Sequence, residues 1–253
     1  MSKVGRLHLA IDVGGILYYD EPFELAWLQG VHDRLDQTDP TVTTCEFIQR
    51  MSDFYLRPRP WSSGQPSFFA PLGTESWRQL RRRWATIAQP IRGAVEALAQ
   101  LCEDHEVSIV ANQPPECQTV LRQLGVDRHV KLVALDSLVG LAKPDPQLYL
   151  WAFARLGWTP QTTVIIGDRE DHDVTPAIAL GCRAALIQPD NHWVAPAGIA
   201  PEIETAYRTI HAARRCQPSQ SAATWSASSL ADLCHQLRND KGRALPSSDG
   251  EPE

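Results

Sequence analysis

The chain has 253 residues, 43% hydrophobic and 21% charged, with a net charge of −6 from 24 basic and 30 acidic side chains. This describes a globular protein of one large domain, or one domain with a sizeable insertion, and a core large enough to fold alone. The acidic balance argues against generic nucleic-acid binding, which needs a basic surface, and no apolar run approaches the ~20 residues of a membrane span.

Residues 7–12 (LHLAID) read as a buried strand running into the turn VGG. A central parallel strand is apolar throughout, and glycines at its carboxyl end let a ligand approach the backbone. Residues 18–90 differ in character. Val, Ile and Thr are sparse there, whereas Trp27, Trp61, Trp77 and Trp84 all fall within the block. Residues 22–35 and 74–87 read as helices, and 57–73 (RPRPWSSGQPSFFAPLG) reads as a Pro/Gly-rich connection. The block is expected to be a mainly helical insertion. Its run Arg81–Arg83 reads as a solvated helix face, with steering of an anionic substrate as the sharper alternative.

A strand–helix alternation follows. Val95, Leu98, Leu101 and Cys102 mark one helix face. Strands are expected at 107–111, 130–135, 163–167 and 183–187. Helices are expected from Pro115 to before Gly125, from Asp145–Pro146 to Gly157, and up to Gly181. This alternation predicts an α/β fold with a Rossmann-like parallel sheet and right-handed crossovers. Residues 200–215 and 228–237 read as helices, and 223–225 (ATW) as a short edge strand. Segment 189–222 is longer than the fold requires. The expected boundaries are a core of 1–17 and 91–238, an insertion at 18–90, and a disordered tail at 239–253. No C-x-x-C pair, clustered histidines or secretory signal is visible, so a cytoplasmic protein with reduced thiols and no zinc site is expected.

In a parallel sheet, ligands bind beyond the carboxyl ends of the strands. Those ends carry Asp12, Asn112 and Gly167–Asp168, and Lys143 lies in the loop LAKPDP. GDREDHD (167–173) adds Asp173 across a loop-to-helix turn, although Asp168 and Asp173 could also serve only to cap that helix. Hard carboxylate oxygens suit Mg²⁺, and a compact ammonium suits phosphate oxygens.

With these residues in view, the chain resembles the haloacid dehalogenase-like superfamily of hydrolases. AIDVGGIL matches the family's D-x-D-G-T/V-L motif, IVANQPP its S/T-N motif, LAKPDP its K-P-D-P motif and GDREDHD its G-D-x-x-x-x-D motif, in order across about residues 7–188. The resemblance implies a helical cap at 18–90 and a Mg²⁺-dependent phosphatase acting on a small phosphorylated metabolite. Asp12 would be the nucleophile that forms an aspartyl-phosphate. Asp12, the Gly14 carbonyl and Asp168 would bind Mg²⁺, supported by Asp173. Lys143 would stabilise charge on the transferring group. Gly14, Gly15, Asn112 and Lys143 would line the phosphate site. Arg57, Arg59 and Arg81 are candidates for substrate contacts from the cap.

Two positions depart from the pattern. Gly14 stands where the family usually has a second Asp as acid–base, and Ala111 where Ser or Thr donates to phosphate. A catalytically impaired relative that binds a ligand or a protein is therefore the alternative. The absence of lysine from 18–90 argues against Schiff-base phosphonate cleavage. Gly167–Asp168 favours Mg²⁺ and phosphate over halide.

Overall fold

The computed structural model describes residues 6–56, 69–215 and 221–239. From the N-terminus the chain runs β1 (His8–Ile11), α1 (Glu21–Thr38), α2 (Thr44–Leu56), α3 (Ala70–Arg82), α4 (Trp84–Ile87), α5 (Ala94–Asp104) and β2 (Glu106–Ala111). It continues through α6 (Cys117–Gln123), β3 (Val133–Leu135), α7 (Asp136–Val139), α8 (Gln147–Leu156), β4 (Thr163–Gly167) and α9 (Thr175–Ala179). It ends with β5 (Arg183–Ile187), α10 (Pro201–Arg215), β6 (Trp225–Ala227) and α11 (Leu230–Asn239). Packing divides the chain into two compact units, residues 1–19, 90–191 and 221–253, and residues 20–89 and 192–220.

The first unit holds a six-stranded sheet in the order β3-β2-β1-β4-β5-β6, with every pairing parallel. The expected α/β sheet is thus the observed one. Both faces are covered, which is why the central strands are continuous apolar runs. Leu9, Ala10 and Ile11 of β1 and Val164, Ile165 and Ile166 of β4 are buried throughout. On one face, Leu148, Tyr149, Ala152 and Phe153 of α8 pack with Ala10, Val110 and Ile165. β1 lies between β2 and β4, so Ile11 is in register with Ile109 and Ile166. The Asp12 amide then donates to the Ile166 carbonyl at 2.8 Å, fixing the chain where the strand ends.

The ends of elements differ from the sequence reading in ways that have physical causes. The strand expected at 130–135 forms as Val133–Leu135, while Lys131 and Leu132 still bond to β2, the Lys131 amide donating to the Val107 carbonyl at 2.8 Å and the Leu132 carbonyl accepting from the Ile109 amide at 2.9 Å. The expected edge strand at 223–225 shifts to Trp225–Ala227, where Trp225 and Ala227 face inward and Ser226 outward. The expected tail 239–253 lies, beyond Asn239, outside the described residues; Asn239 is the last residue of α11.

The second unit is helical. The helix expected at 74–87 is two helices, α3 and α4, separated at Arg83. A further helix, α2, occupies a stretch the sequence reading left without structure. Its signal was present: Thr43 and Glu46 have the spacing of a capping box, and the Glu46 amide donates to Thr43 Oγ1 at 3.2 Å. Phe47 and Met51, one turn apart, bury its inner face. Trp27 and Trp84 are core residues. The Trp27 indole donates to the Gly73 carbonyl at 2.9 Å, and Trp84 stacks on Phe23. Trp77 is 40% exposed. Trp61, Arg57, Arg59 and most of the 57–73 connection lie outside the described residues.

Segment 192–220, placed by the sequence reading within the core range 91–238, packs in this second unit instead. The reason is polar as well as apolar. The Tyr207 hydroxyl of α10 donates to Glu24 of α1, His211 pairs with Glu21 at 3.3 Å, and the Ala200 amide donates to Gln29 at 2.8 Å. Trp193 packs edge-on against Tyr207 and carries the Arg208 guanidinium 3.7 Å from its ring centroid. No helix among the described residues is long and apolar enough to cross a membrane.

Candidate active site

The carboxyl edge of the sheet gathers residues that are far apart in sequence, all within the first unit. One carboxylate oxygen from each of Asp12, Asp168 and Asp173 lies within 4.8 Å of the others. Lys143 reaches into this group. Its ammonium is 3.0 Å from Asp12 Oδ2 and donates to Asp173 Oδ1 at 2.7 Å. Lys143 is 1% exposed, which only a fully paired ammonium tolerates.

Each residue is placed by its local chain. Asp12 follows β1 directly, and its Oδ1 accepts from the Val13 amide at 2.8 Å. The next residues fold into a tight turn in which Gly15 adopts φ +66° and its amide donates to the Tyr18 carbonyl at 2.9 Å. Gly14 pairs with Tyr18 across the same turn. A Cβ on Gly15 would lie 2.5 Å from Asp168 Oδ2, so only glycine lets this turn approach the Asp168 carboxylate. Asp168 follows β4 as Asp12 follows β1. Asp173 returns from a π-helical turn (Glu170–Val174), and its Oδ2 accepts from the Arg169 amide at 3.2 Å. Asp173 is wholly buried, with its Oδ1 against the Lys143 ammonium.

The electrostatics follow from Asp12 and Asp173, the two carboxylates that hold the Lys143 ammonium. Burial, and secondarily the charge of Asp173, push the Asp12 carboxyl up from its ordinary value, against the pull of Lys143. Burial disfavours the Lys143 ammonium, but Asp12 and Asp173 outweigh it and hold that group well above its ordinary range. Lys143 is therefore a fixed positive charge. Three carboxylates meet here with a single ammonium among them. Hard oxygen donors at this spacing fit a divalent cation such as Mg²⁺.

The remaining residues singled out from sequence are placed less uniformly. Asn112 is at the same edge, directly after β2, but its amide is engaged with the Lys143 backbone: its Nδ2 donates to the Lys143 carbonyl and its Oδ1 accepts from the Lys143 amide, both at 2.8 Å. Arg81 lies on α3 of the second unit.

Several residues at this edge escaped the sequence reading. Tyr149, on the first turn of α8, donates its hydroxyl to Asp173 Oδ1 at 3.0 Å. It reads as one more apolar position of that helix, so no local signal marks it. Asp136 follows β3 directly and accepts from the Gln113 amide at 2.7 Å. Applying the strand-end rule to β3 would have found it. Gln113 itself accepts from the buried Tyr18 hydroxyl at 2.8 Å, tying the turn after Asp12 to the end of β2.

Comparison with known proteins gives a consistent picture. The family model described as haloacid dehalogenase-like hydrolase matches residues 11–181. A phosphoserine phosphatase of Thermus thermophilus is 32% identical over 82 residues, 32% of this chain and 33% of that protein. A pyrimidine 5'-nucleotidase of Escherichia coli is 28% identical over 119 residues, 46% of this chain and 52% of that protein. The chain thus matches between a third and about half of the length of these two curated relatives. Among solved structures, a haloacid dehalogenase-type phosphatase of Thermococcus onnurineus aligns with a TM-score of 0.64 at 20% identity, covering 95% of this chain and 99% of that one. L-2-haloacid dehalogenase of Xanthobacter autotrophicus aligns with a TM-score of 0.58 at 18% identity, covering 94% and 100%. At these identities the structural likeness is one of fold.

Proposed function

This chain belongs to the haloacid dehalogenase-like hydrolases, and from that premise we propose that it is a Mg²⁺-dependent phosphatase acting on a small phosphorylated metabolite. The observation that carries the reading is the meeting of Asp12, Asp168 and Asp173 around one point, with Lys143 between Asp12 and Asp173. A halide site has no use for three converging carboxylates, whereas a phosphoryl site with a divalent cation does. The curated relatives named above, both of which act on phosphorylated compounds by name, support the same substrate class. Residues 20–89 with 192–220 would act as the cap that sets specificity.

Asp12, the Gly14 carbonyl and Asp168 would hold the cation, which when bound would supply positive charge to offset the negative charge of the phosphoryl group. The Asp12 carboxylate attacks phosphorus, the bond from phosphorus to the leaving oxygen breaks, and an aspartyl-phosphate forms. Lys143 stabilises the negative charge on the transferring group, and Gly15 leaves room for the Asp168 carboxylate to stand beside the turn. Asp173 and Tyr149 keep the Lys143 ammonium aimed at Asp12. Water then attacks the phosphorus, releasing phosphate and restoring Asp12. With no side chain at Gly14, the leaving oxygen departs without an acid from that position, so aryl, anomeric and anhydride phosphates react faster than alkyl phosphates. The same gap slows deprotonation of the attacking water, so phosphoenzyme accumulates.

Gly14 and Ala111 also favour a second reading, an impaired relative that binds a ligand or a protein partner. The two readings separate in one assay. The enzyme hydrolyses an aryl phosphate only with Mg²⁺, and Asp12→Asn abolishes the turnover. Absence of turnover in the native protein, or full turnover in the Asp12→Asn variant, overturns the enzymatic reading.

A further inference from the structure

We infer that Asn112 is a positioning residue that aims the Lys143 ammonium, rather than a ligand of the phosphoryl group. The inference rests on the phosphatase reading for its kinetic part and on geometry alone for the rest.

Asn112 brackets the Lys143 peptide from both sides, giving one hydrogen bond to its carbonyl and taking one from its amide, each at 2.8 Å. Only one orientation of the Asn112 amide does this. Exchanging its oxygen and nitrogen would set N–H against N–H and oxygen against oxygen. The bracket is mounted on a rigid support, because Ala111, wholly buried, pairs with Leu135 at the end of β2. Among the described residues the Asn112 amide has no other hydrogen-bond partner.

A lysine needs such a support at this place. Its stem has four rotatable carbons, and fixing the charged tip alone leaves the base of the stem free to move. The tip is held by Asp12 at 3.0 Å and Asp173 at 2.7 Å. Asp12 changes charge and partner when it takes up a phosphoryl group, so that contact is contested during turnover. The bracket on the backbone is untouched by that step. It links β2, which carries Asn112, to the loop before α8, which carries Lys143, and so sets the height of the ammonium above β1. Asp, which offers no N–H, or Ser, which is shorter, would not reproduce both bonds.

The test is a double-mutant cycle with Asn112→Ala and Lys143→Ala, read as kcat and KM for an aryl phosphate with Mg²⁺ and as affinity for inorganic phosphate. If Asn112 acts through Lys143, Asn112→Ala lowers kcat by about 10–100-fold with little change in KM. In the Lys143→Ala background the same change costs less than about threefold in kcat or in phosphate affinity. Equal losses in both backgrounds mark a direct phosphate contact and overturn the inference. A second readout needs no turnover. Asn112→Ala should speed hydrogen exchange at the Lys143 amide while the β1 amides keep their protection. Unchanged exchange at Lys143 overturns the inference as well. A native protein that neither hydrolyses the aryl phosphate nor binds phosphate defeats the phosphatase reading instead, and exchange at Lys143 then decides the role of Asn112.

Discussion

Gly167→Ala tests how much of the candidate site depends on one missing methyl group. Gly167 closes β4, and a Cβ there would lie 2.1 Å from Asp173 Cγ and 2.2 Å from Asp173 Oδ2. Carbon atoms pack favourably at about 3.5–4.0 Å, so Asp173 must retreat by more than ~1 Å. Backbone conformation offers no separate objection, since Gly167 is not among the positive-φ glycines. Asp173 Oδ1 holds Lys143 at 2.7 Å and Tyr149 at 3.0 Å, and both bonds break with that retreat. Removing one partner of a buried ion pair costs about 3–5 kcal/mol. Asp12 stays beside the ammonium, so the expected loss is at the low end, about 3 kcal/mol. The displaced Lys143 lowers kcat by about 10²-fold. Urea unfolding of the two proteins gives the stability difference, and aryl phosphate turnover gives the rate. The Asp173→Ala background supplies the control: the carboxylate is gone but the Cβ of residue 173 still lies 2.5 Å from the added methyl group, so Gly167→Ala should cost less there than in the native protein without becoming neutral. A loss below about 1 kcal/mol with kcat unchanged would refute the steric argument.

Three further outcomes are expected. Gly14→Asp restores an acid–base at a position whose φ is not positive, and alkyl phosphate turnover rises by about 10²-fold or more; a folded variant with no gain speaks for an impaired site. Burial pushes the Cys182 thiol up to about 12 and the Cys102 thiol up to about 11, whereas Cys45 is exposed. Iodoacetamide near neutral pH should therefore mark Cys45 well before the other two, as peptide mass spectrometry would show. Burial lowers His8 and His105 below their ordinary 6.5, and His105 Nδ1 accepts the Leu7 amide while neutral. The unfolded chain protonates these groups first, so their contribution is intact above that value and is lost as pH falls through the lowered folded values. Melting temperature should drop between about pH 7 and 5.5, less so in His8→Gln/His105→Gln; identical profiles would contradict this.

The strand ends show how far the sequence could be read. Asp12, Asn112 and Asp168 each follow an apolar run directly, and a residue there must emerge at the carboxyl edge of a parallel sheet. Asp136 obeys the same rule at the end of the strand expected at 130–135, so its place was equally legible. Tyr149, by contrast, was invisible. Its ring serves the apolar face of α8, and nothing local reveals that its hydroxyl meets Asp173. Asn112 shows another kind of limit. Its place was legible, but the partner of its amide depends on a loop 31 residues away.

Segment 189–222 makes the same division plain. Its helix was readable from local periodicity, since a helix needs only one face to be apolar at a spacing of 3.6 residues. Its allegiance was not, because whether α10 packs with residues 20–89 depends on Tyr207 meeting Glu24 and His211 meeting Glu21 across about 180 residues of chain. The amino-acid order by itself determined which segments coil or extend and which polar groups stand at their ends, for those are short-range steric and hydrophobic matters. Only the tertiary structure decided that Lys143 lies between Asp12 and Asp173, because that arrangement minimises the free energy of charges buried from distant parts of the chain, and no local window contains all of them.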